Sequence, residues 1–261
     1  MPTKHFKYGG STAARTLGCP DWVNQISGTG GSKTSVFAER GTLQHDYMEN
    51  ILNGDMELAE IPDDEDRERC QWALDAWDDL CKTYGVADYV TEQEFSMGDE
   101  IGGTADVVAW TADRTLIVDW KFGQGIQVEA VGSAQGMFYA MCAAYEGQVK
   151  GALTIAIIQP ITSRAGHNTL SVWDVPADVF ELFKRSLSTA IANAQNTLNA
   201  GSHCQYCPAA PTCTEKSGQA HAALLMSTDT ADTLGENMTL AMELQKWINE
   251  VKTKTHEQLE I

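Results

Sequence analysis

Three short strand-like runs in succession, with helical segments on either side, limit the fold of this chain more than any other feature. The runs are rich in β-branched and aromatic residues, and Gly102-Gly103 and Asp113-Arg114 separate them as predicted turns. Two further apolar runs follow after a helical segment. The predicted strands are residues 89–97, 104–110, 115–121, 152–159 and 169–173. This order predicts an α/β fold with a mixed sheet flanked by helices.

Five segments have the spacing of apolar residues that is typical of helices. Ala73, Trp77 and Leu80, for example, recur on one helical face, and Gly85 predicts where that helix ends. The predicted helices are residues 35–52, 62–84, 129–145, 176–198 and 236–259. The Gly- and Ser-rich residues 27–35 predict a loop.

Length and charge restrict the class of protein. The 261 residues are enough for one large domain or for a domain with a small appendage. The chain contains neither a run long and apolar enough to span a membrane nor a signal-peptide core, so we expect a cytoplasmic protein. Its 18 Lys and Arg oppose 36 Asp and Glu, a net charge of −18. This disfavours a simple nucleic-acid binder, unless the few cations line one groove and divalent metals offset acidic site residues.

A pair of opposite charges stands in the third predicted strand. Asp119 and Lys121 are two residues apart, so both side chains point to the same face. Burying these charges is costly unless each is paired or binds a metal. A simple ion pair at the strand end would also account for them. Asp106, on the preceding strand, adds a second carboxylate, and the two carboxylates together predict a Mg²⁺ or Mn²⁺ site.

Residues on two predicted helices can complete this site. His45 and Glu49 are four residues apart, as are Gln135 and Tyr139, so each pair shares a helical face. A single histidine is more often a surface or core residue. Beside two carboxylates, however, His45 is the predicted third metal ligand. Glu49 is a weaker candidate, as is Glu94, which its strand can also place on the opposite face of the sheet.

Three of the seven cysteines lie close together in the segment HCQYCPAAPTC. Cys204 and Cys207 have the C-x2-C spacing that lets two thiolates bind one metal or cluster, and Cys213 adds a third. Cys19, which is followed by proline as Cys207 is, is the natural fourth ligand. Both an iron–sulfur cluster and zinc suit such ligands, and for zinc either Cys19 or His203 can complete the set. The remaining cysteines are expected to be ordinary core residues: Cys70, Cys81 and Cys142.

Taken in order, these residues resemble the RecB-like branch of the PD-(D/E)XK nuclease superfamily, and within it a phage-associated family. The motifs that carry the resemblance are Cys19-Pro20, Gly41-Thr42-Leu43-Gln44-His45, Gly103-Thr104-Ala105-Asp106, Asp119-Trp120-Lys121-Phe122-Gly123, Gln135 with Tyr139, and the cysteines from Cys204 to Cys213. The resemblance covers residues 8–216. It implies a restriction-endonuclease-like core over residues 1–216, closed by a cysteine staple, and a linker with an amphipathic helix over residues 217–261.

The resemblance also implies a role for each site residue. The implied metal ligands are His45, Asp106, Asp119 and the backbone carbonyl of Trp120. Lys121 would orient the attacking water and stabilise the charged transition state, while Gln135 and Tyr139 would position the scissile DNA strand. The implied [4Fe–4S] ligands are Cys19, Cys204, Cys207 and Cys213.

These roles predict a Mg²⁺- or Mn²⁺-dependent deoxyribonuclease, more narrowly an exonuclease that degrades DNA from its ends in phage recombination or replication. The partners expected are DNA and a phage single-strand annealing protein in the cytoplasm of a bacterial host, and an oligomer is compatible with this function. Two alternatives stay open: a catalytically silent module that binds DNA ends or proteins, which the acidic composition favours, and an acidic DNA mimic. The charged trio of Asp106, Asp119 and Lys121 favours the enzyme, because a silent module has no physical need to keep it.

Overall fold

The chain forms two compact units. The computed structural model describes residues 6–26, 36–123, 127–160, 169–195, 197–223 and 231–259. The first unit contains Met1–Ala13 and Lys33–Lys184, and the second contains Ala14–Ser32 and Arg185–Ile261. The second unit therefore combines an N-terminal segment with the C-terminal part of the chain, and the boundary expected at residue 216 lies inside it.

Helices account for much of the described chain. They are α1 (Ala13–Gly18), α2 (Trp22–Gln25), α3 (Val36–Asn53), α4 (Asp64–Tyr84), α5 (Ala134–Tyr145), α6 (Ala177–Ala192), α7 (Thr214–Ala223) and α8 (Ala231–Leu259). Among these described residues, no helix combines the length and apolarity that crossing a membrane requires.

A five-stranded sheet forms the centre of the first unit. Its strands are β1 (Asp88–Ser96), β2 (Gly102–Trp110), β3 (Arg114–Trp120), β4 (Ala152–Ile158) and β5 (Leu170–Val175). The order in the sheet follows the chain, and neighbours are antiparallel except for β3 and β4, which are parallel and joined through α5. The predicted α/β fold with a mixed sheet flanked by helices is confirmed.

The two faces of the sheet carry different residues. Leu116, Val118 and Trp120 of β3 are buried in a hydrophobic core shared with α3 and α4. The residues that alternate with them, including Asp119, point to the opposite face, which α5 covers. A Cβ at Gly136 of α5 would lie 2.6 Å from Ile155 Cγ2, so this glycine lets the helix approach the sheet closely. Close packing of α5 brings the polar residues of its first turn against β3.

The hairpin between β1 and β2 differs from the sequence-based prediction. Gly102 and Gly103 lie inside β2 and not in the turn, which closes through a 2.8 Å hydrogen bond from Met97 N–H to the Ile101 carbonyl. A Cβ at Gly102 would lie 2.4 Å from the carbonyl oxygen of Phe95 on the paired strand. The glycine is therefore required by close backbone approach, and the register of the hairpin differs from the one that a Gly-Gly turn implies.

Several helix boundaries also differ from the predictions. Helix α5 begins at Ala134 and not at residue 129, because side chains of the neighbouring strands bind the preceding backbone: Gln159 Oε1 accepts from Val128 N–H at 2.8 Å, and Ser171 Oγ accepts from Ala130 N–H at 2.9 Å. Helix α6 ends at Ala192, before the predicted end at residue 198, and α1, α2 and α7 were not predicted. The predicted loop at 27–35 lies outside the described residues.

The N-terminus of α5 generates a prediction about stability. Ser133 caps the helix by accepting a 3.1 Å hydrogen bond from Gly136 N–H. We expect Ser133→Ala to lower the free energy of unfolding by about 1 kcal/mol, because a helix N–H loses its acceptor. Ser133→Asp keeps an acceptor at the same position and should cost much less. Urea denaturation of the three proteins measures both effects, and equal losses for Ala and Asp would show that the cap is unimportant.

Candidate metal centre

The site begins at the end of β3, where Asp119 and Lys121 point to the α5 face. Asp119 is only 4% exposed. Gln135, on the first turn of α5, bridges the two charges: its Nε2 donates to Asp119 Oδ1 at 2.7 Å, and its Oε1 accepts from Lys121 Nζ at 2.9 Å. The predicted proximity of Asp119, Lys121 and Gln135 is therefore present in the structure.

The second oxygen of Asp119 is compensated by charge alone. Oδ2 is buried and accepts no hydrogen bond of good geometry from the described residues, but Lys121 Nζ lies 2.7 Å away. Burial raises the pKa of Asp119 to about 6, and the negative charge of Asp106 adds to the rise, whereas Lys121 opposes it. A buried carboxylate in this state is well suited to receive a further cation.

Asp106 reaches the site because the hydrogen-bonded pairing between β2 and β3 stops at the neighbouring residue, which leaves Asp106 unpaired with β3. The last paired residues are Val107 and Val118. Beyond them, the Trp120 N–H donates to Asp106 Oδ2 at 2.7 Å, so the carboxylate takes the position of a backbone acceptor. This bond fixes Asp106 beside the end of β3. The structure shows the Trp120 amide in this contact, and the predicted role of its carbonyl as a metal ligand stays a prediction.

His45 enters the site from α3. Its Nδ1 lies 3.5 Å from Asp106 Oδ1, and its ring packs edge-on against Phe122 with the centroids 5.6 Å apart. Burial lowers the pKa of His45, but the contact with Asp106 and the charges of Asp119 and Glu92 outweigh burial, so the pKa is raised overall. The imidazole is therefore held against carboxylates, as predicted.

Glu92 of β1 is a site residue that sequence reasoning missed. The residues on both sides of Glu92 pair with β2, but Glu92 itself does not. Its φ of +46° lies in the left-handed region. Ligand atoms of His45, Glu92 and Asp106 all lie within 4.8 Å of one another. Burial raises the pKa of Glu92 to about 7, and the charges of Asp106 and Glu49 add to the rise. A strained backbone that turns a carboxylate towards another carboxylate indicates a cation site.

The donor set fits a divalent cation. The three donors are one imidazole nitrogen and two carboxylates, and the buried Oδ2 of Asp119 belongs to the same cluster of charges. Carboxylate oxygens suit Mg²⁺ and Mn²⁺, whereas an imidazole ligand favours a transition metal. Of the two cations predicted from the sequence, Mn²⁺ therefore fits these residues better than Mg²⁺.

The remaining candidate residues differ in burial. Tyr139 is 8% exposed, and a Cβ at Gly10 would lie 2.5 Å from its Cζ, so its ring is enclosed by backbone. Its predicted contact with DNA stays a prediction, and its burial beside Gln135 suits support of that side chain. Glu94 is exposed. Glu49 is half-buried, and its charge acts on Glu92.

The four predicted cluster ligands converge in the second unit. Cys19, Cys204, Cys207 and Cys213 line one cavity. Burial raises the pKa of the Cys19 thiol, and the charges of the other three thiols add to the rise. Within the described ranges, no three of the four Sγ atoms lie within 4.8 Å of one another. Both zinc and an iron–sulfur cluster suit four converging cysteines, so both stay predictions for this cavity.

The surroundings of Cys204 favour its thiolate. Burial raises its pKa, but a hydrogen bond with His203 and one from Gly201 N–H, 3.4 Å from Sγ, lower the pKa overall. Metal ligation requires the thiolate. His203 also contacts the Asn199 carbonyl through Nε2 at 3.0 Å, so both of its ring nitrogens are engaged. By contrast, burial raises the thiol pKa of Cys70 to about 12, of Cys81 to about 11 and of Cys142 to about 12. Raised values of this kind are expected for core cysteines.

Comparison with known proteins gives one family. A family model described as "Protein of unknown function (DUF2800)" matches residues 5–261. This family is phage-associated. Among solved structures, one described as "Crystal structure of SSO0001" is 15% identical, with a TM-score of 0.32 over 78% of this chain and 85% of the other. A similarity of this size does not establish a common fold.

The metal centre generates a prediction about cation binding. His45→Ala and Glu92→Gln should each weaken Mn²⁺ binding at least about tenfold without unfolding the protein, since removal of a supporting partner alone has effects of this size. At pH 8, Glu92→Gln should also stabilise the metal-free protein, because the neutral amide ends the repulsion from Asp106. Isothermal titration calorimetry and thermal denaturation measure the two effects.

Glu94→Gln is the matched control for this prediction. It removes the same charge two residues away on the same strand, at an exposed position. Its Mn²⁺ affinity should equal that of the wild type. If Glu92→Gln and Glu94→Gln lower the Mn²⁺ affinity equally, the cause is a general effect of charge. That result would contradict the assignment of Glu92 as a ligand.

Proposed function

We propose that this chain, which belongs to the DUF2800 family, is a metal-dependent deoxyribonuclease with a RecB-like PD-(D/E)XK site. One observation carries the proposal. Three metal donors, from His45, Glu92 and Asp106, lie beside a buried Asp119 that a lysine and a glutamine compensate. A cation held by these donors would lie beside a fixed ammonium group, a combination that suits hydrolysis of a phosphodiester.

Each residue has a definite task in this proposal. A bound divalent cation supplies Lewis-acid activation of the scissile phosphate and lowers the pKa of a water molecule. Lys121 places a positive charge where negative charge develops on the phosphate, and Gln135 holds that ammonium in position. Asp106 is held by the Trp120 amide, so its free oxygen faces His45. The site is therefore preorganised by the backbone of β3 and the first turn of α5.

The narrower function is an exonuclease of phage recombination or replication. Its support is the order of the site residues along the chain, His45, Asp106, Asp119, Lys121 and Gln135, all of which lie in the first unit. The proposed substrate is DNA, and the proposed partner is a phage single-strand annealing protein.

The competing proposal is a silent module that binds DNA ends or proteins. The net charge of −18 favours it, since phosphate binding gains from a basic surface. Against it stands the cost of the site, which combines a buried Asp119 near the charge of Asp106 with a positive-φ Glu92 whose carboxylate lies within 4.8 Å of that of Asp106. These are expensive features for a surface that only binds.

The proposal predicts DNA cleavage that depends on the charged residues of β3. End-labelled single- and double-stranded DNA incubated with the protein and Mn²⁺ should be degraded. Asp119→Ala and Lys121→Ala should each reduce the rate roughly 100-fold or more, because the first removes a predicted metal ligand and the second removes the cation that stabilises the transition state. Glu94→Gln should cleave at the wild-type rate. Normal cleavage by folded Asp119→Ala would refute the site, and a wild type that cleaves no form of DNA would support the silent module.

We also propose a [4Fe–4S] cluster on Cys19, Cys204, Cys207 and Cys213, with zinc as the alternative. The convergence of the four cysteines on one cavity supports a shared metal or cluster, and the resemblance of the motif order to the phage-associated nuclease family favours the cluster over zinc. Soft thiolates suit iron–sulfur or zinc and not Mg²⁺, so this centre is chemically separate from the nuclease site. Its role would be structural, because it joins chain segments from both ends of the sequence within one unit.

The cluster proposal predicts a coloured protein. Protein purified without oxygen should be brown and should contain iron and sulfide in equal amounts. Cys204→Ser should remove the colour and lower the melting temperature, since it removes a ligand. Cys142→Ser is the control, because Cys142 is a buried cysteine of the first unit, and it should keep the colour. Colourless anaerobic protein with one bound zinc per chain would decide for the alternative metal.

A further inference from the structure

We infer that Arg69 of α4 is a positioning residue for the metal centre, and that it acts through Gln44 and Phe122 on His45. Arg69 is 3% exposed, and its guanidinium lies among polar atoms of three different segments. The inference rests on the proposed metal centre, but it concerns residues that touch neither the cation nor DNA.

The guanidinium joins the ends of two parallel strands. Its Nη2 donates to the Phe122 carbonyl, two residues after the end of β3, and its Nε donates to the Pro160 carbonyl at 3.3 Å, two residues after the end of β4. Both strands leave the sheet at the same edge, where the metal centre lies, since Lys121 N–H still bonds the Ile158 carbonyl at 2.9 Å. Arg69 therefore holds the backbone that directly follows Lys121.

The same guanidinium fixes the helix that carries His45. Arg69 Nη1 donates to Gln44 Oε1 at 3.3 Å, and Gln44 Nε2 donates to Asp66 Oδ1 at 2.5 Å. Gln44 is fully buried and directly precedes His45 on α3. Because both ends of its amide are bonded, the rotation of α3 about its own axis is restricted at this point.

Phe122 is the second connection to His45. The guanidinium carbon of Arg69 lies 5.8 Å from the centre of the Phe122 ring, and this ring packs edge-on against His45. His45 thus has neighbours fixed by Arg69 on two sides, the previous residue in sequence and the aromatic ring that it contacts. A shift of either neighbour moves the imidazole relative to Asp106.

The chemistry of arginine suits this position. A guanidinium offers several N–H donors in one plane, and here they reach carbonyl and amide oxygens of three chain segments. A lysine would keep the positive charge but has no planar fork. Asp66, which is also buried and bonds Gln44, supplies a compensating negative charge nearby. Asp66 is also paired with Arg40 at 2.7 Å, so the network around Arg69 holds charges of both signs, and loss of its hydrogen bonds should displace the groups that they hold.

The first test reads the position of His45 without any metal. In the metal-free protein, nuclear magnetic resonance of the histidine rings should show shifted His45 resonances in Arg69→Lys, with the His203 resonances of the other unit unchanged. Gln44→Met removes the same connection while leaving Arg69 in place, and it should also shift His45. If Arg69→Lys does not fold, Gln44→Met decides. Unmoved His45 resonances in a folded variant would overturn the inference.

The second test measures Mn²⁺ affinity in a double-mutant cycle. Arg69→Lys should weaken Mn²⁺ binding about 10- to 100-fold, as supporting partners of metal ligands do. In a His45→Ala background, Arg69→Lys should have little further effect, because its action passes through His45. An undiminished effect in that background would overturn the inference. A wild type that binds no Mn²⁺ would refute the proposed metal centre, while the metal-free measurement would still decide whether Arg69 positions His45.

Arg114→Lys is the matched control. Arg114 also bonds neighbouring strands, through Thr154 and Asp174, but it stands at the first residue of β3, at the opposite end from the metal centre. Its substitution should lower the melting temperature and leave both the His45 resonances and the Mn²⁺ affinity unchanged. Loss of affinity in Arg114→Lys equal to that in Arg69→Lys would show that general destabilisation is the cause.

Discussion

The buried carboxylate of Asp119 at the end of the central strand sets the requirements for the residues around it. A charge in this place must be compensated within the protein. Lys121 supplies the positive charge from the same face of the strand, and Gln135 satisfies both partners with the two ends of one amide. An amide suits this position because it offers a donor and an acceptor, whereas a carboxylate would add repulsion and an ammonium group would lack an acceptor. Helix α5 must then lie close to the sheet, which Gly136 permits.

Asp106 and Glu92 present the opposite problem, an excess of negative charge. The Trp120 amide and His45 compensate Asp106, but Glu92 is turned towards it by a backbone in the left-handed region. Proximity of the two carboxylates contributes to the raised pKa of Glu92, which means that its charged form is destabilised in the metal-free protein. A bound divalent cation would reverse this balance. The proposed cation binding would therefore account for strain, repulsion and donor geometry together.

The sequence predicts those parts of the site that depend on local periodicity. Asp119 and Lys121 share a face because strands repeat every two residues, and Gln135 follows on the next helix. Glu92 was not predictable in this way, because its position depends on the register of the β1–β2 hairpin. The Gly102-Gly103 pair suggested a turn, whereas Gly102 serves close packing of the strands and the turn lies earlier in the chain. The role of Arg69 depends on long-range contacts, for which one sequence contains no signal.

Some of the acidic residues have a structural explanation. Asp63 caps α4, and with Glu65 and Asp66 it binds the single guanidinium of Arg40. Asp174 binds Arg114, and Asp106 and Glu92 belong to the metal centre. With few cations available, DNA binding by this chain would gain little from release of counterions. The carboxylates of the metal-free centre would repel a phosphate, whereas the cation-bound centre would attract it. Cation and DNA binding are then linked, and each increases the affinity for the other, because a coupling free energy between two ligands is reciprocal.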